Sequence, residues 1–136
     1  MLTIFALTIV VLLTIHWIAD FVFQSRWMAN NKSTSLLALT IHVAVYTAVL
    51  GIGVACLALW VIGTTTPAII IAALQFAGAF AVINGVLHWV TDFITSKITA
   101  ALYKEGMFYE FFVVVGFDQL LHAATLVLSY FWLLSV

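Results

Sequence analysis

The chain alternates between long apolar runs and short polar breaks. Four runs stand out, at roughly 2–24, 35–62, 67–95 and 108–135. Each reaches the ~20 residues that cross ~30 Å of hydrocarbon at 1.5 Å per helical residue. No Asp, Glu, Lys or Arg occurs between Lys32 and Asp92, a stretch too long for one span. Gly63-Thr64-Thr65-Thr66-Pro67 divides it, with Thr66 as the expected N-cap and Pro67 at the first helical position. Ser33-Thr34-Ser35 offers the corresponding cap for the second span. The third run is long enough to require tilt, a kink near Asn84-Gly85 or projection beyond the bilayer. The expected architecture is all-α: an integral membrane four-helix bundle, forming a single transmembrane domain over residues 1–136.

Composition supports this reading. Of 136 residues, 66% are hydrophobic and 7% charged, against about 25% charged in soluble domains. The net charge of −1 offers no basis for nucleic-acid binding. Cys56, the lone cysteine, excludes an intramolecular disulfide and reads as a small apolar residue. The N-terminal run lacks a basic n-region and an A-x-A site, so it is expected to remain as a helix. Arg26 and Lys32 follow the first run, and Lys97 and Lys104 surround the break after the third. In an up-down-up-down bundle these four residues share one end, which the positive-inside rule makes cytoplasmic. Both termini are then expected on the non-cytoplasmic side.

Against this background, His16-Trp17-Ile18-Ala19-Asp20-Phe21 returns 72 residues later as His88-Trp89-Val90-Thr91-Asp92-Phe93, with four of six positions identical. An Asp near a membrane helix centre costs ~2.5–3.5 kcal/mol on insertion scales, so it ordinarily faces the bundle interior and has a partner. Residues at i and i+4 share a helix face. The first run thus presents His16, Asp20 and Gln24, and the third Asn84, His88 and Asp92. The fourth adds Asp118 and His122 with Gln119 alongside, and the second His42 with Tyr46. An antiparallel bundle brings these histidines, one per helix, to similar depth near the basic end. The repeated hexapeptide suggests two related helical hairpins about an axis along the membrane normal. Repetition is incomplete: at the same offset His42 falls on Val114, and no second-run residue matches Asp118.

Imidazole with carboxylate is the ligand set of zinc, manganese and iron sites. The candidate metal ligands are His16, Asp20, His42, His88, Asp92, Asp118 and His122, enough for one site with outer partners or for two adjacent metals. Zn²⁺ or Mn²⁺ suits imidazole better than Mg²⁺ does. Trp17, Trp89 and the Phe108–Phe117 stretch read as lipid-facing or interfacial packing. Polar membrane residues can also serve only to pin helices together, but that alternative does not explain why seven gather at one depth.

The motifs His16-x3-Asp20-Phe21-x2-Gln24, Trp27-Met28-Ala29-x-Asn31-Lys32, His88-x3-Asp92-x4-Lys97 and Gly116-x-Asp118-Gln119-x2-His122 resemble those of small bacterial and phage inner-membrane proteins of unknown function. That resemblance covers nearly the whole chain and implies no activity. A looser similarity is to inner-membrane metal-dependent hydrolases, whose Gly-His-Arg and Thr-His-Ser segments this chain lacks. Three readings fit the residues besides hydrolysis of a membrane-presented substrate: proton or divalent-cation transport, a b-type haem protein, and a structural subunit with a polar core. A lipid or phosphate-bearing substrate could engage the basic rim, and the oligomeric state stays open. No catalytic residue is singled out.

Overall fold

The computed structural model describes residues 2–63 and 65–136, so Thr64 of the expected turn lies outside the described residues. Among the described residues five α-helices occur in order: α1 (Leu2–Trp17), α2 (Arg26–Asn31), α3 (Leu36–Ile62), α4 (Pro67–Lys104) and α5 (Phe108–Ser135). No strand occurs among the described residues. α1 continues into a π-helical turn over Ile18–Val22, and together they form the first of four segments long and apolar enough to cross a membrane. α3, α4 and α5 are the other three.

Local chemistry explains the boundaries. Ser35 caps α3, its hydroxyl accepting from the Ala38 N–H at 3.3 Å. Gly63 ends α3 in the left-handed region at φ 71°, a conformation open to glycine without a Cβ clash. Thr66 and Pro67 open α4 at the expected positions, although the Thr66 side chain makes no capping bond. α2 is a short helix in the first basic loop, capped by Ser25, whose hydroxyl accepts from Met28 N–H. The hydrophobic pattern gives no sign of this helix, because the segment around it is polar.

α4 departs most from expectation. It continues past residue 95 to Lys104 and measures about 57 Å at 1.5 Å per residue, well beyond the ~30 Å hydrocarbon layer. Thr95, Ser96 and Lys97 end the apolar run, but no Gly or Pro interrupts the helix between Gly85 and Gly106. The third segment therefore projects at the basic end with the start of α5.

The helices form a ring in the order α1, α3, α4, α5, closed where Phe5 stacks on Phe131 with ring centroids 5.1 Å apart. That contact places the start of α1 beside the end of α5. α3 and α4 approach closely at Gly85, where any side chain would collide with Thr47 of α3. Small residues let membrane helices pack in this way. Towards the end holding the termini, the core is apolar, built around Leu12, Leu50, Val54, Phe80 and Leu126, and an apolar cavity of about 310 Å³ lies between Val54, Phe76 and Tyr130. Trp17, Phe108, Phe112 and Phe117 face outward, while Trp89 is half-buried and donates its indole N–H to Thr40 at 3.2 Å. The polar cluster occupies the other half of the interior.

Candidate metal centre

His16, Asp20, His42, His88, Asp92 and His122 are all buried, and Asp118 is half-buried. Three carboxylates removed from water must each find partners, since an uncompensated buried charge is strongly destabilising. Asp20 Oδ1 lies 3.2 Å from His42 Nε2 and 3.4 Å from His88 Nε2. Asp92 Oδ2 lies 3.4 and 3.5 Å from the same two nitrogens, which are 3.2 Å from each other. These four atoms converge on one point from α3, α4 and the π-helical end of α1.

A second group begins on the other oxygen of Asp92. Its Oδ1 is 3.3 Å from His122 Nε2, which is 3.5 Å from Asp118 Oδ1. Within each group, one donor atom from every residue lies within 4.8 Å of all the others. The buried His/Asp cluster could therefore hold a metal ion. Asp92 belongs to both groups, offering one oxygen to each.

Surrounding residues fix these donors. His88 is sandwiched between Tyr46 and His122, with stacked rings 4.0 and 4.1 Å away. The Gln24 side-chain amide lies 3.2 Å from His42 Nδ1 and 3.4 Å from its Nε2, bordering the edge of the ring that faces the carboxylates. Gln119 donates to Asp118 Oδ2 at 3.0 Å and to Asp20 Oδ2 at 3.3 Å. Such outer bonds orient metal ligands. His16 stands apart from both groups: its Nε2 lies 3.8 Å from Asp20 Oδ2, and its Nδ1 pairs with the Tyr46 hydroxyl at 3.2 Å. Asn84 turns away as well, donating to Ser129 at 2.8 Å and tying α4 to α5.

The two copies of the hexapeptide are thus not equivalent. In the second copy the backbone stays α-helical and Thr91 donates its hydroxyl to the Leu87 carbonyl at 3.0 Å. In the first, Phe23 N–H reaches back to the Ile18 carbonyl at 3.0 Å, closing the wider π turn. Ala19 at the position of Thr91 has no hydroxyl to offer. The wider turn aims Asp20 at His42 and His88. π turns inside helices recur at functional sites.

Two contacts have no signal in the apolar pattern. Lys32 places its ammonium 2.7 Å from Asp92 Oδ2, although its position in a basic loop marks it chiefly as a topology residue. Thr95 donates to Asp118 Oδ1 at 2.6 Å; its place three residues after Asp92 on one helix is the available clue. Lys97 instead lies over the Phe93 ring, 3.4 Å from its centroid.

A cavity of about 460 Å³ reaches the carboxylate side of the cluster. Asp20, Asp92 and Asp118 form its polar floor, α2 contributes Ala29 and Asn30, and the projecting parts of α4 and α5 contribute Tyr103 and Phe111.

Fold and site define an all-helical membrane-spanning bundle with a buried His/Asp cluster able to hold a metal ion. The chain belongs to the family described as "Protein of unknown function (DUF3307)", whose model matches residues 8–136. No curated protein and no solved structure matches it.

Proposed function

We propose that the protein is a metal-dependent hydrolase of the bacterial inner membrane, acting on a phosphate- or ester-bearing amphiphile presented from the bilayer. The observation carrying this reading is the spacing of His42 Nε2, His88 Nε2, Asp20 Oδ1 and Asp92 Oδ2. Four donors about 2.0–2.1 Å from one tetrahedral ion stand roughly 3.3–3.4 Å apart. Five of the six separations here are 3.2–3.5 Å. A divalent transition metal, Zn²⁺ or Mn²⁺, fits this mixed imidazole and carboxylate set. Such an ion would supply Lewis-acid polarisation of a phosphoryl or carbonyl oxygen and activation of water, chemistry that requires a coordination position not filled by a protein donor.

The chain's own residues supply the rest. Asp20, Asp92 and Asp118 face the cavity while the apolar Phe21, Phe111 and Val115 share its walls, a lining suited to a headgroup attached to an acyl or prenyl chain. Lys32 lines the cavity and can meet an anionic group, and Arg26, Lys97 and Lys104 add positive charge at the same end of the bundle. Gln119 holds two of the three carboxylates in place. The basic end faces the cytoplasm by the positive-inside rule. The apolar packing of Leu12, Leu50, Val54, Phe80 and Leu126 beyond the cluster favours hydrolysis over ion transport, which needs a polar path to both sides. Axial haem imidazoles bind opposite faces of a macrocycle, whereas His42 and His88 meet at 3.2 Å with carboxylates beside them.

Elemental analysis of detergent-purified protein prepared without chelator tests the metal. At least one equivalent of zinc or manganese is expected, with a nitrogen/oxygen shell near ~2.0–2.1 Å by X-ray absorption and loss of metal in His88→Ala. Phosphate release from a phosphatidate analogue in mixed micelles tests the reaction. Less than one equivalent after zinc addition would overturn the metal reading.

A further inference from the structure

We infer that the cluster is dinuclear: a second divalent cation binds Asp92 Oδ1, Asp118 Oδ1 and His122 Nε2, bridged to the first through Asp92 and completed by a phosphate group in the cavity. The inference rests on the metal reading above and extends it to a second ion and a substrate class.

Three independent observations converge here. First, Asp92 divides its oxygens, with Oδ2 among the His42 and His88 nitrogens and Oδ1 3.3 Å from His122 Nε2. A carboxylate spanning two groups of donors is the geometry of a bridging ligand, and two-metal hydrolytic sites hold their ions ~3.5–4 Å apart. Second, the groups differ in completeness. The first has four protein donors, as closed sites do, while the second has three, as sites with an exchangeable position do. Both carboxylates of the three-donor group line the cavity, so its open side faces the space where a substrate would sit.

Third, charge balance selects the missing ligand. Metal-bound histidines are neutral, so Asp20, Asp92, Asp118 and Lys32 set the local charge at −2 (three carboxylates and one ammonium). One divalent cation neutralises this cluster. A second leaves +2 in a low-dielectric interior, which a phosphate dianion cancels. The second ion and a phosphate group therefore bind together, each raising the other's affinity.

Mn²⁺ titration of the metal-free full-length protein, monitored by electron paramagnetic resonance with and without inorganic phosphate, tests this. One equivalent is expected without phosphate. With phosphate, two are expected with a spin-coupled spectrum, and the affinity of the second should rise at least tenfold. His122→Ala and the shape-preserving Asp118→Asn should each bind one uncoupled equivalent even with phosphate. Saturation at one equivalent in wild type with phosphate overturns the dinuclear inference alone. Two coupled equivalents in a folded Asp118→Asn protein also overturn it. Zero equivalents in wild type overturns the metal reading itself.

Discussion

Lys32 has an unusual position: it approaches from a polar loop to reach a carboxylate inside the bundle. Its ammonium lies 2.7 Å from Asp92 Oδ2, the oxygen that also faces His42 and His88. Lys32→Met leaves Asp92 without its cation. In metal-free protein this is expected to cost about 2–3 kcal/mol, between the limits for exposed and fully buried pairs. Adding zinc should recover most of that loss, because the metal takes over charge compensation. Thermal unfolding in detergent with and without zinc measures both, and equal destabilisation in the two states would refute the role. Gly85 sets a second limit at this scale. A Cβ there would meet Thr47, whose hydroxyl is held by a 2.8 Å bond to the Val43 carbonyl. Gly85→Ala is expected to destabilise by ~1–3 kcal/mol through overpacking, and the Gly85→Ala/Thr47→Ala double variant to regain at least half of that. A harmless single substitution would show that the helices separate freely.

At the scale of elements, caps and helix length carry different consequences. Ser35 is the side chain that accepts from the first turn of α3, so Ser35→Ala is expected to cost about 1 kcal/mol and Ser35→Asp to restore it. α3 carries His42, so fraying should also weaken metal retention. α4 tests the projecting segment. At about 57 Å it exceeds a ~30 Å hydrocarbon layer, and its residues beyond ~95, past the apolar run, stand outside that layer. In a Cys56→Ala background, Ile98→Cys and Tyr103→Cys are expected to react with a water-soluble maleimide. Val82→Cys and Val86→Cys, outward-facing in the middle of α4, should not. Equal labelling at all four positions would remove the membrane-spanning placement of α4. The π turn at Ile18–Val22 makes a related point, since nearly identical hexapeptides occupy different backbones according to the segment each one leads into. The first copy must end before the Ser25-capped helix, whereas the second runs on for three more turns.

For the whole molecule, the ring of four spanning helices puts both termini at one end and the cavity with its basic rim at the other. A C-terminal reporter is therefore expected to behave as non-cytoplasmic, and tags within the loops at 25–34 and 104–107 as cytoplasmic. A cytoplasmic C-terminus would reverse the orientation and move the cavity to the opposite compartment. The assembly also separates functions along the bundle. One half is packed with Leu12, Leu50, Val54, Phe80 and Leu126 and resembles an ordinary apolar core. The other concentrates ionisable groups that would be costly in isolation. Removing metal should therefore loosen the basic half preferentially. Hydrogen exchange is expected to rise around Asp20, His42 and Asp92 in chelated protein, with little change around Phe80. A uniform rise would show that the two halves unfold together.

Four apolar spans, the Ser35 cap, the Pro67 start of α4 and the one-histidine-per-helix arrangement were legible in the sequence, because apolar run length, turn residues and i, i+4 spacing are local properties; the Thr66 hydroxyl makes no capping bond. The burial of His88 and Asp92 followed from the cost of placing such groups in lipid. The membership of each cluster required the tertiary structure. His42 has no aspartate on its own helix turn, yet α1 and α4 deliver Asp20 and Asp92 to it. His16 belongs to the more conspicuous motif and nevertheless pairs with Tyr46, because the π turn redirects Asp20 away from the simple α-helical pairing. The Lys32–Asp92 pair spans 60 residues, and the approach of Asp118 to Asp92 through His122 depends on how α4 and α5 cross. Periodicity assigns a side chain to a face of its own helix. Which oxygen meets which nitrogen depends on the rotation and depth of neighbouring helices, set jointly by packing at contacts such as Gly85 with Thr47 and by partner formation among the buried charges.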